Sequence, residues 1–194
     1  MAKQQSRKRV CIIHGYRATP GNHWFPWLKD KLTPIGVDVE IIAMPTPQTP
    51  KLDEWLNQLA QSAKDMDSDT YFVAHSLGCI TLLRFLLKQN SSQPIGGLVL
   101  VSGFAQSLPT LPILDEFVEQ PLDYHQLIQR ASQCAGIAAK DDPIVPFAFS
   151  KELMEQLKAD FFEVDKGGHF LEGDGFTALP IVFDVLVDMM ELEK

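Results

Sequence analysis

The sequence predicts an α/β fold in three layers, a mostly parallel sheet of about six strands with helices on both faces. Short apolar runs rich in β-branched residues recur along the chain, and segments with helical spacing separate them. Several of the runs are apolar at consecutive positions, which is the pattern of strands covered on both faces. Right-handed crossovers through the intervening helices then build a parallel sheet.

Taken in order, the first predicted strand covers residues 10–14 and follows a basic cluster of Lys3, Arg7, Lys8 and Arg9, read as part of a flexible, solvated tail over residues 1–9. A helix over 24–32 leads to a strand over 37–43. The proline-rich stretch 44–50 can extend neither a helix nor a central strand and must be a loop. Leu52, Trp55, Leu56, Leu59, Ala63 and Met66 share one helical face and predict a core-facing helix. The strand 71–75 runs directly into a helix over 77–89, and a further strand covers 97–101. The connection 102–135 is longer than a crossover needs; it holds a helix over 122–132 and leaves room for a small flap. Strands at 136–139 and 161–164 enclose a helix over 147–158. A last helix over 179–192 turns Val182, Val185, Leu186, Met189 and Met190 to one side.

A chain of 194 residues fits one domain, spanning 1–194, able to bury a core without disulfides or metals. Its 45% apolar and 22% charged residues are those of a folded globular protein. The net charge of −8 and a pI near 5.0 argue against nucleic acid as a partner, because polyanion binding needs a clustered cationic surface. No stretch approaches the roughly 20 apolar residues that span a bilayer, and the N-terminus lacks a signal-peptide core, so no membrane association and a cytoplasmic location are predicted. Cys11, Cys79 and Cys134 are odd in number, lack CxxC spacing and sit in apolar contexts, as reduced structural thiols do. Nucleotide-binding glycine motifs and His/Cys clusters at ligand spacing are missing from the sequence, and neither cofactor nor metal is predicted.

In an open parallel sheet the ligand crevice lies beyond the carboxyl ends of the strands. The end of the strand 71–75 is the most informative. Ser76 stands there on a sharp strand-to-helix turn, a turn that crowds the positions two before and two after it; Ala74 and Gly78 keep both small. The usual pattern, G-x-S-x-G, carries alanine in place of its first glycine here. On this segment alone Ser76 reads equally well as a nucleophile and as a helix N-cap.

A serine hydroxyl needs a base within hydrogen-bond reach, itself oriented by a carboxylate. His169, after Gly167 and Gly168 at the end of the last strand, is the candidate base, as an imidazole suits proton transfer near neutrality. His75 should point away from the site, and His23 and His125 are assigned surface roles. Asp142, before Pro143 at the end of the fifth strand, is the preferred acid, with Asp141 as the fallback and an Asx-turn as the role of whichever is not used. The chain order Ser, Asp, His is that of the α/β-hydrolases. The oxyanion of a tetrahedral intermediate would be met by the backbone N–H groups of Leu77 and Tyr16, with Gly15 letting the chain pass close to substrate and His14 holding that loop.

The segments Ile12-Ile13-His14-Gly15-Tyr16, Asn22-His23-Trp24, Ala74-His75-Ser76-Leu77-Gly78, Val101-Ser102-Gly103-Phe104, Asp141-Asp142 and Gly167-Gly168-His169-Phe170 together resemble the YdeN-type small serine hydrolases, a family that includes the human retinoblastoma-binding protein nine. The resemblance covers nearly the whole chain. It implies a compact α/β-hydrolase fold lacking the first two strands of the full fold, with Ser76, Asp142 and His169 as its triad.

Substrate contacts are predicted from Gly15, Trp24 and Phe104, the aromatic pair flanking a modest apolar pocket; the remaining aromatic and aliphatic residues nearby are assigned to packing. The predicted activity is hydrolysis of small uncharged acyl esters, thioesters or amides through an acyl-enzyme, with a small-molecule acyl compound as the partner. The competing class is a protein-binding module on a hydrolase scaffold without turnover.

Overall fold

A computed structural model describes residues 7–90 and 93–192. Its strands are β1 (Arg9–Ile13), β2 (Asp38–Ile42), β3 (Thr70–His75), β4 (Ile95–Val101), β5 (Ala131–Ala139) and β6 (Asp160–Val164). They form one six-stranded sheet in the order β2-β1-β3-β4-β5-β6. Every neighbouring pair is parallel.

The helices α1 (Phe25–Leu32) and α6 (Pro180–Met189) cover one face of this sheet. On the other lie α2 (Leu52–Ser62), α3 (Leu77–Leu87), α4 (Tyr124–Ile128) and α5 (Phe147–Leu157). The strand periodicity of two divides the side chains between the faces. Val10 and Ile12 of β1 enter the core under α1 and α6, as do Tyr71 and Val73 of β3. Cys11, Ile13, Phe72 and Ala74, one residue out of phase, enter the opposite core. The helix α3 is buried from Leu77 to Leu86 and apolar on nearly every side, as a helix enclosed by neighbours must be.

From β1 the chain steps outward to β2, then returns across β1 to place β3 on its other side. The winding direction reverses between β1 and β3, and a crevice opens at their carboxyl ends. Residues 14–24 and Ser76 leave the sheet there.

Three local features depart from the sequence expectation. The helix predicted over 122–132 is confined to α4, because the Asp123 side chain caps it by accepting from Gln126 N–H and because Ala131 pairs with Ile95, drawing the following residues into a longer β5. Within the long connection a 3₁₀ turn, Pro112–Phe117, is tied down by Arg84 of α3, which donates to the carbonyls of Phe117 and Gln120. The predicted tail overreaches: residues 1–6, Lys3 included, lie outside the described residues, while Lys8 pairs with Asp69 at 2.6 Å. Arg9 opens β1, and its guanidinium donates to the carbonyls of Ser62 and Lys64 at 2.7 and 2.9 Å. Among the described residues no helix is long and apolar enough to cross a membrane.

Candidate active site

Ser76 separates β3 from α3 with φ 53° and ψ −119°, a left-handed conformation that strains any residue other than glycine. Its N–H donates to Val101 O at 2.9 Å, and its carbonyl accepts from Cys79 N–H at 2.9 Å, so the turn is clamped on both sides. A Cβ at position 78 would stand 2.7 Å from Ile13 O and 2.8 Å from His14 O, which is why Gly78 follows two residues later. Ala74 is fully buried in the core, and its methyl group packs there in the place of the usual glycine. At Gly15 a Cβ would meet Ser76 Cβ at 3.0 Å and His75 O at 3.1 Å; the bare backbone lets the loop after β1 run alongside the serine.

His169 Nδ1 donates to Asp142 Oδ2 at 2.8 Å, with both side chains almost completely buried. The other oxygen of Asp142 accepts from the N–H groups of Ile144 and Val145 at 2.8 and 3.0 Å, so the carboxylate is held from its own turn. Asp141 does something else. Its Oδ1 accepts from Gly167 N–H and Gly168 N–H at 2.8 and 2.9 Å, fixing the loop that delivers His169, and these bonds hold its carboxyl below the ordinary value. Asp174 adds a second anchor, accepting from His169 N–H at 3.1 Å.

Three further histidines surround this arrangement. His14 accepts Met44 N–H at Nε2 (3.0 Å), which leaves the proton on Nδ1, facing Gly15 O at 2.9 Å; burial lowers its pKa. It braces the loop, as the sequence indicates. His75 Nε2 lies 2.9 Å from His169 O, and since a carbonyl only accepts, that nitrogen carries the proton. Burial, then the proximity of His169, pushes its pKa well below the ordinary value.

His23, assigned to the surface from sequence, lines the cavity instead. It has φ 55°, and it is locked by a reciprocal pair of bonds: His23 N–H donates to Glu172 Oε2 at 2.9 Å and Glu172 N–H donates to His23 Nδ1 at 3.1 Å. The loops after β1 and β6 are joined through it. The signal in the sequence is only that His23 follows the His14-Gly15-Tyr16 loop, and a helix-edge position offered no reason to turn it inward.

The cavity has a volume of about 420 Å³ and is bordered by Ser76 and His169. Gly15, Tyr16, Arg17 and His23 come from the loop after β1, Thr110 and Leu111 from the long connection, Ile144 from the turn after β5, and Leu171 from the loop after β6. Leu77 opens α3, where the first N–H groups have no acceptor within the helix. Trp24 and Phe104 require correction as substrate contacts: both are fully buried and neither borders the cavity. Trp24 packs edge-on against Phe25 at 4.7 Å on the α1 side, because the positive φ of His23 sends the two neighbours in different directions; Phe104 belongs to the opposite core. Among the described residues no three His, Cys, Asp or Glu side chains converge to hold a metal ion.

Comparison with known proteins agrees with this architecture. The Bacillus subtilis (strain 168) protein YdeN is 52% identical over 186 residues, covering 96% of this chain and 98% of that one. The crystal structure of the B. subtilis ydeN gene product superposes with a TM-score of 0.94 over 95% of this chain and 99% of that one. Est1E from Butyrivibrio proteoclasticus shares the fold at 14% identity, with a TM-score of 0.70 over 95% of this chain and 89% of its own. The model of the family described as serine hydrolase matches residues 10–188. On the strength of that span and of a relative more than half identical along nearly its whole length, the chain belongs to the serine hydrolase family, built on the α/β-hydrolase fold.

Proposed function

We propose that the protein is a carboxylesterase-type hydrolase that cleaves small acyl esters or thioesters, with Ser76 as nucleophile, His169 as general base and Asp142 as the carboxylate that orients it. One observation carries the reading: His169 is bonded at Nδ1 to the buried Asp142 and shares a cavity wall with a serine on a strained turn. With Nδ1 occupied as a donor, Nε2 is the basic nitrogen left for the serine hydroxyl.

In this mechanism Ser76 Oγ attacks the substrate carbonyl while its proton passes to His169 Nε2. Asp142 stabilises the imidazolium across the 2.8 Å bond. The negative oxygen of the intermediate accepts from Leu77 N–H and Tyr16 N–H, donors whose individual loss typically costs about 10² to 10³ in turnover. Collapse breaks the bond to the leaving alcohol, which takes the proton from His169. A water molecule, deprotonated by the same imidazole, then releases the acid and regenerates the serine. The apolar walls given by Leu111, Ile144 and Leu171 support a short acyl group.

Labelling with a fluorophosphonate and turnover of acyl esters of graded chain length test the reading together. A stoichiometric adduct on Ser76, with ester turnover absent in Ser76→Ala, is the expected result. A folded protein with neither adduct nor turnover would be a binding module on this scaffold.

A further inference from the structure

Arg17 is the one formally charged side chain among the described residues that line the cavity, and no aspartate or glutamate lines it. This is notable in a chain with 25 acidic and 17 basic residues. The carboxylates nearest the site are turned elsewhere. Asp142 is bonded to His169 and to the amides of its own turn, Asp141 to the amides of Gly167 and Gly168, Glu172 to His23 N–H, and Asp174 to His169 N–H.

The arginine is placed with care. It has φ 60°, a strained value for a residue with a side chain, and its N–H donates to Pro47 O at 2.9 Å, which fixes the backbone just after Tyr16. Its guanidinium lies over the Tyr16 ring, with Cζ 5.0 Å from the ring centre. A cation–π contact of this kind uses none of the guanidinium's N–H donors, and a planar guanidinium can take a carboxylate through two parallel bonds. The residue that holds the arginine is the one whose N–H we assign to the oxyanion.

We propose that this cavity selects acyl esters bearing a carboxylate, with Arg17 as the residue that binds it. The inference rests on the hydrolase reading above and narrows its substrate class, replacing the uncharged ester expected from the sequence. The apolar walls hold the carbon skeleton, Ser76 takes the ester carbonyl, and the guanidinium takes the anion.

Two isosteric pairs test it: para-acetoxybenzoate against para-acetoxybenzamide, with the charge on the alcohol side, and monophenyl adipate against its terminal amide, with the charge on the acyl side. In the wild type, kcat/KM for the carboxylate exceeds that for the amide in at least one pair, by roughly threefold to fivefold at low salt, the size of an ion pair at a solvent-exposed arginine. Arg17→Gln brings that ratio to about one, Arg17→Lys keeps part of it, and high salt weakens it. A wild-type ratio at or below one in both pairs, or one that Arg17→Gln does not move, overturns the proposal while leaving the hydrolase intact. If none of these compounds turns over and Ser76 takes no adduct, the hydrolase reading fails. The anion site is then decided by binding of para-acetoxybenzoate to the Ser76→Ala protein, which adding Arg17→Gln must weaken.

Discussion

His75 donates from Nε2 to the carbonyl oxygen of His169 at 2.9 Å, so the residue just before the candidate nucleophile also supports the backbone of the candidate base. The two rings lie 4.8 Å apart, and His23, Trp24 and Phe25 surround the far side of His75. His75→Phe keeps an aromatic ring there and leaves the carbonyl without its donor. A buried acceptor left unpaired costs about 1 to 3 kcal/mol, and loss of that order in urea unfolding is expected together with a fall in kcat exceeding any change in KM. Unchanged stability with unchanged kcat would show that the bond supports nothing.

The same histidine sets a pH dependence. Burial holds the folded-state pKa of His75 well below 6.5, so the folded protein keeps it neutral while the unfolded chain protonates it. The unfolded state therefore binds more protons below pH 6.5, and stability is full above that value and declines as pH falls toward the folded pKa. The loss from His75 grows between pH 6.5 and 5.5, with His14 and His23 shifted in the same direction. Urea titrations at those pH values should give a shallower slope for His75→Phe than for wild type.

Asp141 and Asp142 are neighbours with separable tasks. Asp142→Asn can still accept the amides of Ile144 and Val145, but its side-chain NH₂ would face His169 Nδ1 and force the proton onto Nε2, the nitrogen that accepts from Ser76 in the proposed mechanism. A fall in kcat of about 10⁴ is expected with little change in unfolding midpoint. Asp141→Asn retains an oxygen for the amides of Gly167 and Gly168 and should lose far less activity. Comparable losses in the two variants would show that the tasks are not separable, and a larger loss in Asp141→Asn would reverse the assignment.

Ser76 stores strain that glycine would release. At φ 53° a residue without a Cβ is at ease, so Ser76→Gly should be more stable than Ser76→Ala by about 1 kcal/mol, the reverse of the usual order for glycine and alanine. Thermal unfolding of the two inactive variants checks it directly. Equal midpoints would mean that the turn relaxes without strain.

Much of this was legible in the chain because strand ends are. The apolar runs that became β1, β3, β5 and β6 put His14, Ser76, Asp142 and His169 at the same edge of the sheet, and parallel topology guaranteed it. The choice between neighbours was harder to read. Whether His23 or Trp24 faces the cavity depends on the positive φ at His23 and on Glu172, which lies 149 residues away. Aromatic character pointed to Trp24, and the core took it. Phe104 followed the same logic, since an apolar residue in a long connection reads alike whether it roofs a pocket or fills the core. The extra length of β5 was hidden for another reason: Ser132 and Gln133 are polar residues in a strand, recruited by pairing with β4 more than by their own preference.

The bonds from Arg84 to the carbonyls of Phe117 and Gln120 have a consequence for the cavity. Arg84 rides on α3, the helix that begins beside Ser76, and the stretch it grips belongs to the connection that contributes Thr110 and Leu111 to the cavity. The turn at Ser76 and the stretch that follows Thr110 and Leu111 are thereby tied to one helix, so that a substitution at Arg84 would reach the cavity without altering any residue that lines it.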